Sequence, residues 1–227
     1  MTIPESWHGN WAGLNALVLG LGKSGFSVVD TLTELGVNTA AVGDNASKEL
    51  VDLCELIGSK FYASSKPSVL DQIGFKPDFA VVSPGFSPSH PLVVELERLG
   101  VPLMGDIDLA WRLNDKNHKK TEWILITGTN GKTTTSELTS KILATAGHSV
   151  IACGNIGTPI LDAVRDPVEY DFLVVEISSF QLHYLGEITP VVSAYLNIAE
   201  DHIDWHGSFL EYAKAKAKVF QGTKSAI

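Results

Sequence analysis

The sequence predicts an α/β fold built from two domains, each with a parallel β-sheet. Short apolar runs alternate with segments of helical spacing along most of the chain, as a parallel sheet covered on both faces requires. A glycine-rich turn joins an apolar run to a helical segment at residues 20–25 and again at residues 127–135. The polar run at residues 114–122 lies between these two units. We therefore expect two sheets in tandem, with a ligand-binding turn in each.

The composition is that of a globular protein. The 227 residues are 44% hydrophobic and 19% charged, with a net charge of −9. The chain can bury a core and lacks the basic character that non-specific nucleic-acid binding needs. Cys54 and Cys153 are too few and too far apart for a disulfide framework. Because residues 1–10 lack signal-peptide features and long apolar runs are absent from the sequence, we expect a cytoplasmic monomer without nucleic-acid or membrane partners.

The first glycine turn follows a predicted strand at residues 15–19 and precedes a helical segment that ends at Gly36. Its sequence, Gly-Leu-Gly-Lys-Ser-Gly at residues 20–25, is a G-x-G-x-x-G motif in its usual context. The next predicted strand, residues 37–42, is followed by Asp44, and an acid at this point commonly binds a ribose hydroxyl. This order predicts a Rossmann-like nucleotide-binding domain. The alternative is a βαβ unit whose glycines serve only helix–strand packing.

The alternation continues through the rest of the first domain. We predict a helix at residues 48–57, a strand at 78–82, a helix at 92–99 after breaks at Pro88 and Pro91, and a short strand at 101–104. The strand at 78–82 ends at Ser83-Pro84-Gly85. A glycine-bearing turn at that position lies on the ligand-binding edge of a parallel sheet.

The polar run at residues 114–122 has no apolar periodicity. We place the domain boundary inside it, which gives domains at residues 1–117 and 118–227. An exposed loop within one domain, or a basic surface patch, would account for the run equally well. What favours a boundary is the second strand, glycine turn and helix that begin immediately after the run.

The second glycine turn is the most informative stretch of the chain. It reads Thr-Gly-Thr-Asn-Gly-Lys-Thr-Thr-Thr at residues 127–135 and leads into a helix with apolar spacing at Leu138, Ile142, Leu143 and Ala146. Its glycine spacing is shorter than that of the common P-loop, where Ile126 would be glycine. We predict a truncated P-loop domain that binds phosphate here. The alternative is an ordinary glycine turn before a capped helix.

Each residue type in this turn suits phosphate. Gly128 and Gly131 allow a tight turn whose N–H groups point inward, and the helix start adds positive potential. Lys132 would reach the outer phosphate oxygens, and the Thr133 hydroxyl could hold magnesium. Glu176 ends a wholly apolar predicted strand at residues 172–175, and a strand-end acid beside a phosphate loop can complete a magnesium site. Otherwise Glu176 only marks the end of its strand.

Acids and histidines are dense at residues 197–206, just beyond a predicted strand at residues 191–196. They form either a metal or phosphate site or a solvated loop. Zinc is only weakly indicated, since no cysteine or fourth ligand is near His202, Asp204 and His206 in the sequence.

The last predicted helix covers residues 209–220 and has a mixed inner face. That face carries Lys216 together with Phe209, Tyr212, Ala213, Val219 and Phe220, while Lys214 and Lys218 lie outside and are expected to be solvated,. Lys216 would either snorkel to solvent or carry an amine neutral enough to react. Residues 225–227 begin a further strand, which leaves the second sheet incomplete.

Taken together, these motifs resemble those of the Mur ligase family. The loop at residues 128–134 shares the short spacing of that family. It is followed in the family's order by Gly-Asn-Ile-Gly at 154–157, Glu-Ile-Ser-Ser-Phe-Gln-Leu at 176–182, and the segments 196–197 and 201–204. Residues 20–25, 83–85 and 105–109 are also similar, so the resemblance covers nearly the whole chain.

The resemblance implies two nucleotide sites. The first domain would bind the UDP part of a precursor through Gly22, Lys23, Ser24, Asp44, Asn45, Ser83 and Gly85. ATP would bind the loop formed by Gly128, Thr129, Asn130, Gly131, Lys132, Thr133 and Thr134. Asn155 and Ser178 would line the substrate site. Two Mg²⁺ ions would be held, one by Thr133 and Glu176 and one by His202 and a carbamylated Lys216, and the catalytic residues would be Lys132, His202 and Lys216.

The resemblance also implies a reaction and its partners. It is ATP-dependent amide synthesis in peptidoglycan precursor formation, through an acyl phosphate, with UDP-N-acetylmuramoyl-L-alanine (UDP-MurNAc-L-Ala) and D-glutamate as substrates. Family members are longer, so we expect this chain to be an inactive fragment that still binds the UDP precursor. Two alternatives stay open: an NAD-dependent dehydrogenase that uses residues 20–25 and Asp44, and a non-catalytic nucleotide-binding module that uses residues 128–133.

Overall fold

The structure is a computed structural model that describes residues 2–117 and 120–227. The chain divides into two compact units, Met1–Leu113 and Asn114–Ile227, and each contains one five-stranded sheet. The domain boundary between residues 117 and 118 stays a prediction, because it adjoins His118 and Lys119, which lie outside the described residues.

The first unit is a parallel α/β sheet, as the sequence predicts. Its elements in chain order are β1 (Asn15–Leu21), α1 (Lys23–Glu34), β2 (Asn38–Ala46), α2 (Lys48–Leu56), β3 (Lys60–Tyr62), a 3₁₀ helix (Pro67–Gln72), β4 (Phe79–Val82), α3 (Pro91–Arg98), β5 (Leu103–Met104) and α4 (Asp106–Arg112). All pairs are parallel, in the order β3-β2-β1-β4-β5. The strand order reverses beside β1, so the ligand-binding crevice of such a sheet lies at the carboxyl ends of β1 and β4.

Three local features of the first unit differ from the sequence prediction. β3 is three residues long, too short to show an alternating pattern. α4 begins at Asp106, in a segment that the sequence shows only as a motif. Pro91, expected to break the chain before a helix, is the first residue of α3, where its fixed φ suits the helix and its missing N–H leaves no bond unmade.

The second unit repeats the architecture with a different strand order. Its elements are β6 (Glu122–Thr127), α5 (Lys132–Thr145), β7 (Val150–Gly154), α6 (Ile160–Arg165), β8 (Phe172–Glu176), α7 (Ser179–His183), β9 (Val192–Tyr195), α8 (Ile203–His206), α9 (Phe209–Ala217), a 3₁₀ turn (Lys218–Phe220) and β10 (Ser225–Ala226). The order is β10-β9-β6-β8-β7, again all parallel. The central strands β6 and β8 meet neighbours on both sides, and β8 is apolar up to its last residue because both faces are covered.

α5 packs on the sheet through only part of the face that its apolar spacing predicts. Ser136 is fully buried and Leu143 packs on the sheet core, while Leu138 and Ile142 are 56% and 60% exposed. The helix starts directly at the tight loop, where Gly131 has a φ of 80°. The loop therefore sets the rotation of the helix, whatever the positions of its apolar side chains.

The helix predicted at residues 209–220 is shorter than expected, because α9 ends at Ala217 and a 3₁₀ turn follows. Tyr212, Lys216 and Val219 are buried on its inner side, as predicted. Phe209 and Phe220, also expected inside, are 42% and 37% exposed.

Lys214 and Lys218, which were predicted to lie on the solvated outer face of residues 209–220, have different surroundings. Lys214 is exposed and pairs with Glu211 at 2.8 Å, as expected of a solvated lysine. Lys218 is half-buried, and its Nζ donates to the carbonyl oxygen of His183 at 2.7 Å. The prediction of a solvated Lys218 is therefore wrong, and burial lowers the pKa of its amine.

The strand expected at residues 225–227 is confirmed, since β10 pairs with β9. In the part of the chain that the structure describes, no helix combines the length and apolarity needed to cross a membrane.

Candidate functional site

The phosphate loop joins β6 to α5, and residues beyond β9 hold its shape. Asn197 accepts from the backbone N–H of Thr129 through its carbonyl at 3.0 Å and from that of Asn130 through Oδ1 at 2.9 Å. Its Nδ2 donates back to the Asn130 carbonyl at 3.0 Å. Gly131 caps α5 in the left-handed conformation, which glycine adopts without strain. The loop is thus an ordered turn that presents the helix start, with Thr134 exposed in the first turn.

Lys132 folds inside this loop. Its Nζ donates to the carbonyl oxygens of Gly128 and Thr129, both at 3.0 Å. The side chain is half-buried and borders a cavity beside the loop. The ammonium group therefore lies where a phosphate at the loop would need a counter-charge.

Glu176 lies at the tip of β8 with its side chain facing the start of α5. It is 2% exposed and accepts hydrogen bonds from Thr133 Oγ1 at 2.8 Å and from Asn155 Nδ2 at 2.9 Å. β8 pairs with β6 on one side and β7 on the other, with Glu176 opposite Ile126 and Gly154. Three of the predicted site residues are therefore brought together at one sheet edge.

Lys216 approaches the same loop from α9. It is 2% exposed, and its Nζ donates to the Gly128 carbonyl at 2.8 Å and to Thr127 Oγ1 at 3.4 Å. The side chain does not snorkel, so that alternative is wrong. Burial, followed by repulsion from Lys132, lowers the pKa of the Lys216 amine to about 8. Part of the population is then neutral near physiological pH.

A cavity of about 140 Å³ lies beside the loop. The predicted site residues on its wall are Gly128, Lys132, Asn155, Ser178, His202 and Lys216. The other four lining residues, which were not predicted as site residues, are Ser179, Phe180, Asp201 and Tyr212. Ser178 also caps α7 in a capping box with Gln181. The motif at residues 176–182 carried a signal for Ser179 and Phe180, whereas Tyr212 was expected only as a core residue.

His202 begins α8 in the left-handed conformation, with a φ of 53°. Its Nε2 lies 3.4 Å from Asp201 Oδ2, and its ring lies 4.6 Å from that of Phe180. Among the described residues, no group of three or more His, Cys, Asp or Glu side chains could hold a metal ion. The weak zinc indication at residues 202–206 thus receives no support. A magnesium site is a separate case, because its ligands can include hydroxyl and phosphate oxygens.

The first unit brings its predicted residues to the carboxyl edge of its own sheet. α1 starts at Lys23 with Gly22 as its N-cap, and Lys23 is exposed beside half-buried Ser24. A Cβ on Gly25 would lie 2.0 Å from the carbonyl oxygen of Gly20, so this glycine lets α1 pack against the turn. Ser83 Oγ donates to the same carbonyl at 3.4 Å, and Gly85 is exposed next to it.

Asp44 follows the buried part of β2, as predicted, but it already has a partner. Its two carboxylate oxygens accept from Ser65, one from the backbone N–H at 3.0 Å and one from the hydroxyl at 2.6 Å. The hydroxyl bond, more than any other interaction, lowers the pKa of Asp44. Asn45 beside it is exposed. No sequence pattern pointed to Ser65, because it lies in a separate segment, between β3 and the 3₁₀ helix, whereas Asp44 lies near the end of β2.

The fold and the second unit's site together define the class of protein. A glycine loop that starts a helix, a lysine inside that loop and a buried carboxylate at the neighbouring strand tip are the arrangement of P-loop nucleotide-binding proteins. A family model described as the Mur ligase middle domain matches residues 126–227. With the relatives described next, this establishes that the chain belongs to the Mur ligase family.

Curated relatives match nearly all of the chain. A protein of Leifsonia xyli subsp. xyli named UDP-N-acetylmuramoylalanine–D-glutamate ligase is 47% identical over 234 residues, which cover 97% of this chain and 45% of that protein. Proteins of the same name from Tropheryma whipplei (strain TW08/27) and Nocardia farcinica are 45% and 41% identical, covering 96% and 92% of this chain and 46% and 43% of their own lengths. The chain spans less than half the length of these relatives.

Two solved structures share the fold. The UDP-N-acetylmuramate:L-alanyl-γ-D-glutamyl-meso-diaminopimelate ligase of Neisseria meningitides matches with a TM-score of 0.56 and 19% identity, over 92% of this chain and 68% of that one. The UDP-N-acetylmuramate–alanine ligase MurC of Thermotoga maritima matches with a TM-score of 0.54 and 20% identity, over 94% of this chain and 48% of that one. At these identities the likeness concerns the fold alone, and it confirms the predicted α/β class.

Proposed function

We propose that this chain is the nucleotide-binding portion of an ATP-dependent amide ligase of peptidoglycan precursor synthesis, acting in the cytoplasm. The reaction would join D-glutamate to UDP-MurNAc-L-Ala. The names of the curated relatives support this substrate pair. The observation that carries the proposal is the buried Glu176 carboxylate, bonded to Thr133 at the start of the phosphate loop helix.

ATP would bind with its phosphates over the loop from Gly128 to Thr134. The positive potential at the start of α5 would favour the phosphate charge. Lys132 would exchange its two carbonyl contacts for phosphate oxygens, which are stronger acceptors because they are ionised.

The residues at Glu176 fit a magnesium ion. Glu176 and Thr133 offer a carboxylate and a hydroxyl oxygen within 2.8 Å of each other, and Mg²⁺ prefers such hard ligands together with phosphate oxygens and water. The ion would neutralise charge on the β- and γ-phosphates. A second ion would be held by His202 and Lys216. These two residues can bind Mg²⁺ only after Lys216 has acquired a negative charge.

Lys216 would acquire that charge by carbamylation. The Lys216 ammonium would first lose a proton to solvent. The neutral amine would then attack carbon dioxide, so that an N–C bond forms, one C–O π bond opens and a second proton leaves, and a cation becomes an anionic oxygen ligand. Burial of the amine favours the neutral form that this step requires, with a pKa of about 8,.

The reaction would proceed in two displacements. The terminal carboxylate of UDP-MurNAc-L-Ala attacks the γ-phosphorus of ATP, ADP leaves, and an acyl phosphate forms. The amine of D-glutamate then attacks the acyl carbon, the C–O bond to phosphate breaks, and the amine loses a proton. This chain's residues contribute positioning and charge neutralisation, chiefly Lys132 at the transferred phosphoryl group, while Asn155, Ser178 and His202 line the cavity,.

The first unit would hold the UDP moiety. Its glycine turn starts α1 at the switch point of the sheet, where phosphates bind in such folds. Gly22, Lys23 and Ser24 belong to that turn, and Ser83 and Gly85 lie beside it. Asp44 and Asn45 lie in the last residues of β2, at the same edge.

The direct test is Lys132→Ala, with Lys141→Ala on the exposed side of α5 as its matched control. Loss of a charged hydrogen-bonding group should weaken ATP binding roughly tenfold to a hundredfold and abolish ATP turnover in a form of the protein that spans the full length of its relatives. Calorimetry should find UDP-MurNAc-L-Ala binding intact in both variants. ATP binding that survives Lys132→Ala unchanged would contradict the proposal.

A further inference from the structure

We propose that Tyr212 is a positioning residue that holds the phosphate loop and Lys216 in one arrangement. The inference rests on the proposed function, because that loop is the ATP site. Tyr212 lies on α9, one turn before Lys216, and is 1% exposed. Its hydroxyl and its ring make separate contacts, and both lead to the loop.

The hydroxyl contact fixes Thr129. The phenol oxygen of Tyr212 lies 2.9 Å from Thr129 Oγ1. The same Oγ1 accepts from the backbone N–H of Ala199 at 3.0 Å and donates to the Ala199 carbonyl at 3.3 Å. A hydroxyl has one proton and two lone pairs. Thr129 donates its proton to the Ala199 carbonyl and uses one lone pair for the Ala199 N–H, so its other lone pair accepts from Tyr212. The Thr129 side chain is thereby fully bonded, and α9 supplies one of its three contacts.

The ring contact fixes Lys216 in its unmodified form. Its Nζ lies 5.1 Å from the centroid of the Tyr212 ring, within the range of a cation–π contact. The same Nζ donates to the Gly128 carbonyl at 2.8 Å. The ring also helps to shield the amine, which belongs to a side chain that is 2% exposed.

Tyr212 therefore connects α9 to two adjacent residues of the loop, directly to Thr129 and through Lys216 to Gly128. Removal of the hydroxyl changes no charge, yet it frees Thr129 from α9. We expect the loop to be less ordered before ATP binds, and ATP therefore to bind more weakly. Removal of the whole ring should in addition uncover the Lys216 amine.

A double-mutant cycle tests the hydroxyl contact. Tyr212→Phe and Thr129→Val should each weaken ATP binding about threefold to tenfold, the effect of one hydrogen bond, and the double variant should be no weaker than the worse single one. Thr129→Ser should restore binding to within about twofold, since it keeps the hydroxyl. Tyr195→Phe is the matched control, because the buried Tyr195 hydroxyl has no hydrogen-bond partner among the described residues. Unchanged affinity in Tyr212→Phe, or single effects that multiply in the double variant, would overturn the proposal.

A nucleotide-free measurement tests the ring contact. Reductive methylation of Lys216, followed by peptide mass spectrometry, should run at the wild-type rate in Tyr212→Phe and at least about threefold faster in Tyr212→Leu, where the amine is uncovered. Thermal midpoints check that each variant is folded. An unchanged rate in folded Tyr212→Leu overturns the role of the ring. Absence of ATP binding by the wild-type chain would instead count against the proposed function, and the methylation rates would still decide whether Tyr212 positions Lys216.

Discussion

Glu176 and Lys216 are buried charged side chains that approach one loop from different elements. An isolated buried charge costs several kcal/mol, and each of these two is stabilised by hydrogen bonds: Glu176 accepts from Thr133 and Asn155, whereas Lys216 donates to the Gly128 carbonyl. The two charges therefore hold separate parts of the loop region. Because both side chains are bonded to this region, its backbone would need little rearrangement when ATP binds, and the Lys132 side chain would change partners.

His206 gives the second unit a pH-dependent stability. Its Nε2 lies 3.0 Å from Ser179 Oγ, and burial, with repulsion from His183, His202 and Lys216, lowers the pKa of its imidazole to about 4, although Asp204 acts in the opposite direction. The unfolded chain thus binds a proton below about pH 6.5 that the folded chain excludes until about pH 4. Stability from this group is present above pH 6.5 and is lost as the pH falls towards 4.

The measurement is the thermal midpoint at pH 7.5 and pH 5.0. In the wild-type chain the midpoint of the second unit should fall on acidification, and His206→Gln should remove roughly 2–5 °C of that fall. His148→Gln, at an exposed histidine of the same unit, serves as the control. Equal falls in the wild-type chain and His206→Gln would show that His206 contributes nothing.

Single residues were predictable where their neighbours in sequence define the chemistry. Lys132 and Thr133 follow from the glycine loop alone, and Glu176 from the end of an apolar strand. The bond between Asp44 and Ser65 and the contact between Thr129 and Tyr212 join residues 21 and 83 positions apart. No short-range pattern encodes such pairs, because they depend on how separate loops and helices pack.

At the scale of elements, the end of β7 depends on Gly154. Its φ is 99°, and an added Cβ would lie 2.5 Å from the carbonyl oxygen of Glu176. Gly147 has a similar φ of 94° but nothing within 4 Å of its Cβ position. Both glycines have a positive φ that strains other residues. Only at Gly154 would an added Cβ also collide with the backbone.

Gly147→Ala should therefore lower the free energy of unfolding of the second unit by about 1 kcal/mol, and Gly154→Ala by about 3 kcal/mol or more. Urea denaturation followed by tryptophan fluorescence measures both. Displacement of Glu176 in Gly154→Ala should also weaken ATP binding, which Gly147→Ala should leave unchanged. Equal losses of stability in the two variants would mean that the strand end relaxes around the methyl group.

Elements were predicted best where strand, turn and helix follow one another closely. Both glycine turns and the strands that precede them are found where the sequence indicates. α5 forms as predicted but with Leu138 and Ile142 exposed, because the loop at Gly131 fixes its rotation before any apolar side chain is reached. β3 and α4 were missed because three-residue and seven-residue elements are too short for a period to show.

At the scale of the whole molecule, the two units carry separate binding turns, and the chain spans 45% of its Leifsonia xyli relative. We expect these 227 residues to bind UDP-MurNAc-L-Ala, with its UDP moiety held by the first unit, and to form no amide. Lys23→Ala should weaken precursor binding roughly tenfold, by loss of a cation at the phosphate turn, whereas Lys48→Ala, an exposed lysine at the start of α2, should not.

Calorimetry with UDP-MurNAc-L-Ala, UDP and NAD as separate titrants measures that binding. Mass spectrometry after incubation with ATP, magnesium and D-glutamate detects any amide product. Tight binding of NAD with none of the precursor would favour a dehydrogenase, since the same glycine turn can hold either nucleotide. Amide formation by this chain would contradict the expectation that it binds the precursor without reacting. It would mean that the two units already contain a complete site for the incoming amino acid.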